Sequence, residues 1–211
     1  MNILEHLGFA LGLATVAGVN LYLTVLLTGL AVHFNLMQLA DQYHDLAVLG
    51  HPWVIAVAAV LYAVEFCADK VPWFDSLWDA IHTFIRPVGG ALMGLQALGD
   101  IPPYLQVIAA LMAGGAALTT HSAKAGTRLM INHSPEPVSN IAMSVTEDVA
   151  VGAGWALMLA HPVVALVLFS LLLAGLWFLM PKLFRLLRSS FCLIRDKWRS
   201  LWQKEPVVAG G

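Results

Sequence analysis

The sequence predicts an all-α fold, a polytopic bundle of about six membrane-spanning helices. Its 211 residues are 59% hydrophobic and only 11% charged, whereas soluble domains carry roughly 25% charged residues. Apolar runs near the length of about 20 residues that a span requires recur along the chain. A tail rich in Lys and Arg follows the last of them, as is typical of a chain end that stays in the cytoplasm.

Hydropathy places the spans at roughly residues 8–33, 52–68, 83–99, 103–121, 140–159 and 162–181. The first run is too long for the core of a signal peptide. No Lys or Arg precedes it and no small-residue cleavage site follows it, so we expect it to remain in the protein. The second and third spans are short, and we expect each to continue as helix at its cytoplasmic end.

The basic residues predict the orientation of the bundle. All 11 Lys and Arg residues fall on one side of the membrane if there are six spans, and the positive-inside rule makes that side the cytoplasm. Lys70 and Arg86 flank one connection, Lys124 and Arg128 lie in another, and the rest are in the tail. We therefore expect a multi-pass protein of the inner (cytoplasmic) membrane with both termini in the cytoplasm.

Composition divides the chain into three parts. Residues 1–181 form the bundle, residues 182–204 mix basic with apolar and aromatic side chains, and residues 205–211 have the composition of a disordered tail. The middle part predicts an amphipathic helix in the headgroup layer, in contact with anionic lipids. A basic flank that continues the last span is the alternative. The lipid bilayer is the expected partner, a homo-oligomer is left open, and no feature indicates nucleic acid.

Two adjacent carboxylates, Glu147 and Asp148, interrupt the fifth span. One such group at the bilayer centre costs about 2.5 to 3.5 kcal/mol even on lenient insertion scales, so the pair predicts a compensating partner or a function. His121 and Lys124 are candidate neighbours. The alternative is that one acid is protonated or caps a helix contact.

A second polar set precedes the third span. Its residues are spaced 4, 3 and 4 apart and would form one stripe on a helix: Asp75, Asp79, His82 and Arg86. Glu65 and Asp69 form another stripe at the end of the second span, across a corner that Pro72 favours. Together they predict an acidic cytoplasmic vestibule that binds a cation or relays protons, since His titrates near neutrality. Carboxylates paired at headgroup depth are the alternative.

The two polar sets are predicted to meet at Arg86. Pro87 and a Gly pair follow it, which permits a bend and a close helix approach. Without gaps, the segment from Asp79 aligns with the segment from Asn140, and the spans before them also resemble each other. This alignment indicates a parallel two-helix repeat with Arg86 opposite Glu147. We therefore expect a salt bridge from Arg86 to Glu147 or Asp148.

The remaining polar features favour structure over chemistry. Asn20 lies in the middle of the first span, where a buried amide more often joins helices than binds a ligand. Cys67 and Cys192 fit no metal or redox spacing, and no H-E-x-x-H or comparable pattern is present. We expect neither a metal site nor a cofactor.

The polar residues also carry a family resemblance. The string Glu65-Phe66-Cys67-Ala68-Asp69-Lys70-Val71-Pro72, continued through Asp75 to Pro87, resembles the signature of an uncharacterised bacterial membrane family, domain of unknown function 4126. The segments Gly18 to Thr24 and His121 to Gly126, and the Glu147-Asp148 pair, resemble it as well. The resemblance covers most of the chain, from residue 8 to residue 180, and implies a small multi-span protein without implying an activity.

Three functions fit these observations. The first is a small transporter or channel whose substrate passes the intramembrane charges. The second is a membrane-embedded enzyme acting on a lipid at the cytoplasmic interface, with Asp75, Asp79 and His82 as acid–base or metal-binding groups. No Ser, Cys or Thr nucleophile motif accompanies these residues, which disfavours an enzyme. The third is a non-catalytic membrane assembly subunit.

Overall fold

The computed structural model describes residues 3–36, 44–131 and 137–202, and all regular secondary structure in these ranges is helical. A 3-10 helix lies at His44–Gly50. The α-helices are α1 Ile3–Val19, α2 Leu21–His33, α3 Pro52–Ala68, α4 Pro72–Leu98, α5 Pro103–Ile131, α6 Pro137–Ala160 and α7 Pro162–Trp202. The all-α prediction is therefore confirmed for the part of the chain that is described. The predicted disordered tail, 205–211, lies outside it.

Proline sets the start of each helix after α2. The first residue of α3, α4, α5, α6 and α7 is a proline, a position where its fixed φ is helical and its missing N–H costs no hydrogen bond. The predicted corner before α4 is confirmed, because Val71 has extended backbone angles ahead of Pro72. Pro87 lies within α4, which is one helix across the predicted polar stripe.

The first predicted span, 8–33, is not one continuous helix. It is divided at Asn20, which has φ −145 and ψ 100 and accepts a hydrogen bond through its side chain from the backbone N–H of Leu23. Asn is among the best helix N-caps, because its side-chain oxygen satisfies a donor that the first turn leaves unpaired. The cap ends α1 and begins α2 within the bundle.

Within the described ranges, three helical segments are long and apolar enough to cross a membrane: Pro103–Ile131, Val138–Ala160 and Pro162–Lys182. The helices α1, α2 and α3 are apolar but shorter. Large apolar side chains face outward, among them Trp53, Phe84 and Trp177, as expected of a surface in contact with lipid. Six spans, the two-helix repeat and the interfacial placement of the tail stay predictions, although the tail is helical and continuous with α7 up to Trp202.

Helix α1 lies at the centre of the bundle and packs against α4, α5, α6 and α7. Glycines permit the close approach: Gly12 lies against Met158 of α6, and Gly18 lies against Ala117 and Thr120 of α5. Small residues at a helix interface let backbones approach and gain dispersion contacts that lipid cannot supply. This packing holds the Asn20 break against the neighbouring helices.

Gly18→Ala is expected to lower the thermal unfolding midpoint of the detergent-purified protein. A Cβ at this position would overlap the Ala117 backbone and the Thr120 hydroxyl, so α1 and α5 would have to separate. Gly115→Ala is the matched control, since no atom lies within 4 Å of a Cβ there, and Ala is favoured over Gly within a helix by roughly 0.8–1 kcal/mol. Equal midpoints for the two variants would contradict close α1–α5 packing.

Candidate functional site

Eight charged side chains from four helices are buried together at the end of the bundle where α3 and α5 end and α4 and α6 begin. Each residue is at most 9% exposed, and we call this set the charge cluster. Its members are Glu65 from α3 and Asp69 at the C-cap of α3, Asp75, Asp79 and Arg86 from α4, Lys124 and Arg128 from α5, and Glu147 from α6. The predicted stripe on α4 is thus confirmed to face inward, although its groups are packed against cations and do not line an open vestibule.

Arg86 joins α4 to three other helices. Its Nη2 donates to Glu65 Oε1 over 2.6 Å, and its Nη1 donates to His121 Nδ1 over 2.9 Å and to the backbone carbonyl of Gly18 over 3.1 Å. Asp79 Oδ1 lies farther from Nη2, at 3.7 Å. The guanidinium is fully buried, so these acceptors replace the water that it loses.

The break at Asn20 creates two helix ends, and each of them lies next to a charged side chain. The last carbonyls of a helix lack intrahelical partners and carry partial negative charge, and Arg86 binds one of them at Gly18. The first turn of α2 carries partial positive charge, and Asn20 at its cap donates from Nδ2 to Asp148 Oδ1 over 3.0 Å. A cation therefore lies at the C-terminus of α1 and an anion near the N-terminus of α2.

Arg128 is the partner of Glu147. Its Nε and Nη2 donate to the two Glu147 oxygens over 3.0 and 2.5 Å, a planar two-point pairing that only a guanidinium can make. Nη2 also donates to Asp69 Oδ2 and Nη1 to the Asp69 carbonyl, while Asp75 Oδ1 lies 3.8 Å from Nη1. Arg128 thus joins α5 to α3, α4 and α6.

Lys124 connects the two halves of the cluster. Its ammonium lies 3.3 Å from Glu65 Oε1, 3.6 Å from Asp69 Oδ2 and 3.4 Å from Glu147 Oε2. The two polar sets therefore meet, but they meet through α5. The expected salt bridge from Arg86 to Glu147 or Asp148 is wrong: Glu147 pairs with Arg128 and Lys124, and Asp148 accepts hydrogen bonds from Asn20 and from the Tyr62 hydroxyl.

The hydrogen-bond partners of the two histidines indicate which ring nitrogen carries the proton. His121 Nδ1 faces the guanidinium of Arg86, which can only donate, so the ring proton is on Nε2, which lies 3.1 Å from the Asp79 carbonyl. His82 is the opposite tautomer, with Nδ1 on the Trp78 carbonyl and Nε2 on the Tyr22 hydroxyl. Burial lowers the pKa of His82, and the charge of Arg86 adds to this effect despite the Trp78 hydrogen bond.

The family model of a domain of unknown function, DUF4126, matches residues 7–182. The chain belongs to the DUF4126 family. The matched range contains every member of the charge cluster, together with Asn20, His82, His121 and Asp148. No curated protein and no solved structure matches the chain. The family assignment by sequence resemblance is therefore confirmed, and it carries no activity with it.

The sequence places ten site residues in this DUF4126 chain, and the structure brings eight of them into one connected network. Asp148 is bound by Asn20 and Tyr62 beside it, and His82 is hydrogen-bonded instead to Tyr22 and to the Trp78 carbonyl. Arg128, Tyr22 and Tyr62 are the contacts that were missed. Arg128 was assigned to a loop because the apolar run ends near His121, but α5 continues to Ile131. The spacing of His121, Lys124 and Arg128 at 3 and 4 residues is the signal that could have extended the stripe.

Several buried atoms of the cluster have no hydrogen-bond partner within the described protein. They are Glu65 Oε2, Asp69 Oδ1, both side-chain oxygens of Asp79, and Arg86 Nε. The cluster holds five carboxyl groups against three cationic side chains. Burial raises the pKa of Asp79, while Lys124 and Arg86 act in the opposite direction. Within the described ranges no group of three or more Asp, Glu, His or Cys side chains is placed to hold a metal ion.

Arg128→Met and Glu147→Gln should each destabilise the protein by about 3 to 5 kcal/mol, because each leaves a buried charge unpaired. The double variant should cost less than the sum of the two, which a cycle of unfolding midpoints in detergent will measure. Arg86→Met combined with Glu147→Gln is the matched control, because this pair makes no direct contact. A coupling in the control as large as that of Arg128 with Glu147 would contradict the pairing described above.

Proposed function

We propose that this protein is a small membrane transporter or channel that carries a small cation through the charge cluster. The observation that supports this function best is the excess of acid: five buried carboxyl groups face three cationic side chains. A purely structural network would be expected to balance, because unpaired charge in an apolar bundle is costly. An acidic excess instead attracts positive charge from solution.

A line of buried polar side chains supports a route through the bundle. Asn140 lies about two turns and Ser144 about one turn before Glu147 on α6. Both are buried, and neither Asn140 Oδ1 nor Ser144 Oγ has a hydrogen-bond partner in the described protein. Beyond Asp148, Trp155 Nε1 donates to Thr28 of α2 over 3.1 Å. Residues 140 to 155 extend about 22 Å along the helix, most of a hydrocarbon core of roughly 30 Å.

The divided helix also favours transport. Breaks within a membrane helix place half-helix ends, with their partial charges, at the depth where transporters bind substrate and coupling ions. Here α1 ends and α2 begins next to Arg86 and Asp148. The break therefore places the partial charges of two helix ends next to the cluster.

The engagement of Arg86 favours a cation over an anion as the substrate. Both terminal nitrogens of its guanidinium already bind Glu65, His121 and the Gly18 carbonyl, so an anion would have to displace these partners. The lipid-acting enzyme is less well supported. Both ring nitrogens of His82 are engaged inside the bundle, where a lipid headgroup would not meet them.

Cation flux into liposomes tests this function. The reconstituted protein should dissipate an imposed H⁺, Na⁺ or K⁺ gradient faster than protein-free liposomes do, as followed with ion-sensitive dyes. Ser144→Val should lose most of the flux while the protein stays folded, since it replaces a buried hydroxyl on the route with two methyl groups. Thr146→Val is the control, because Thr146 is exposed on the same helix. No flux of any of the three ions in the wild type would refute the proposal.

In the proposed topology the protein spans the inner membrane and both of its termini are in the cytoplasm. We expect a cysteine introduced at Asp100, between α4 and α5, to react with an impermeant thiol reagent from outside the cell. A cysteine at Lys70, between α3 and α4, should react only after the membrane is opened. The background must carry Cys67→Ala and Cys192→Ser, because Cys67 is exposed. The reverse labelling pattern would invert the orientation.

A further inference from the structure

We propose that the ion bound by the charge cluster is a proton, and that the carboxyl group of Asp79 carries it. This inference rests on the proposed function and names its substrate. It follows from how Asp79 differs from the other carboxyl groups around it.

Asp79 is the acid of the cluster with the poorest support for a negative charge. Its side chain is 5% exposed, and neither oxygen accepts a hydrogen bond from the described protein. Its cationic neighbour, Arg86 Nη2, is 3.7 Å away, beyond the length of a hydrogen bond. By contrast, Glu65 accepts from Arg86 over 2.6 Å, and Glu147 accepts from Arg128 through both oxygens.

The charged groups around Asp79 leave its negative charge without a cation of its own. Arg86 faces it from its own helix, Lys124 and the neutral His121 from α5, Asp69 and Glu65 from α3, and Glu147 from α6. The cations among them have closer carboxylate partners. A buried carboxylate without a partner favours its neutral form, so a proton on Asp79 relieves a charge that the protein leaves unbalanced.

The donor atoms suit a proton better than a metal ion. Ca²⁺ requires six to eight oxygen ligands and Mg²⁺ requires a near-ideal octahedron, whereas most of the oxygens around Asp79 are turned toward guanidinium and ammonium groups. A proton needs a single lone pair. Its transfer from a hydronium ion forms one O–H bond on Asp79 and breaks one on the hydronium, and the formal charge of the cluster changes from −2 to −1.

Infrared spectroscopy tests the bound proton without any transport assay. At neutral pH the detergent-purified protein should show the C=O stretching band of a protonated carboxylic acid. Labelling aspartate with ¹³C in its carboxyl group should shift that band, which assigns it to Asp in the wild type. Asp79→Asn should remove it, while Asp100→Asn, an exposed acid between α4 and α5, should leave it unchanged. Asp79→Glu should retain an acid band that the aspartate label does not shift.

The pH dependence of stability is a second readout. A raised pKa means that folded Asp79 holds its proton more tightly than the unfolded chain, so its stabilising contribution is complete below the ordinary pKa of 3.8 and is lost as pH rises through the folded value. The unfolding midpoint of the wild type should therefore decrease as the pH rises above about 4. Asp79→Asn should make this decrease smaller, whereas Asp100→Asn should leave it unchanged.

The outcomes separate this inference from the proposed function. An Asp79 band and pH slope without flux of H⁺, Na⁺ or K⁺ in liposomes would retain the proton site and refute the transporter. Cation flux in a wild type that lacks a label-sensitive acid band would retain the transporter and overturn the proton site. If Asp79→Asn keeps the band, the pH slope and the proton flux of the wild type, Asp79 is not the carrier. Should Asp79→Asn fail to fold, Asp79→Glu decides: an acid band that no longer shifts with the aspartate label supports the inference, and one that still shifts overturns it.

Discussion

The ammonium group of Lys124 is the contact on which the site depends, because it is shared by carboxylates from α3 and α6. Helices in a bilayer gain little from the hydrophobic effect when they associate, so polar contacts carry more of the specificity. Helices α3 and α6 have no extensive packing against each other. Their approach is mediated by Lys124 and Arg128, which project from α5 toward the acids of α3 and toward Glu147, and by the hydrogen bond from Tyr62 to Asp148.

The same constraint links the cluster to the backbone of the central helix. Arg86 binds a carbonyl that the break at Asn20 leaves available, and Asn20 in turn binds Asp148. The guanidinium of Arg86 on α4 and the carboxyl group of Asp148 on α6 are thus both bound to one short segment, Gly18 to Asn20, where α1 ends and α2 begins. A change in the ionisation of either group alters the balance of forces on that segment, which is held in place by glycine contacts to α5.

The spacing of polar residues along the sequence predicted much of this arrangement, because spacing alone determines which side chains share one face of a helix. The inward stripe of α4 follows from residues spaced three and four apart, and the corner before Pro72 follows from proline sterics. The partners of Arg86 could not be read in this way, since spacing along one helix does not tell which neighbour faces it. The division at Asn20 was missed because hydropathy averages over a window, and a single capping residue within an apolar run barely changes the average. Lys124 and Arg128 were placed in a loop because the apolar run ends near His121, although the helix continues to Ile131.

Helix α7 has 41 residues and, at 1.5 Å per residue, is roughly 61 Å long, about twice the thickness of the hydrocarbon core. Part of it packs against α1, α5 and α6. A tilt of ten degrees about Pro162 would displace the Trp202 end by roughly 10 Å. Small rearrangements where α7 touches α1 at Gly8 would thereby become large movements at the far end.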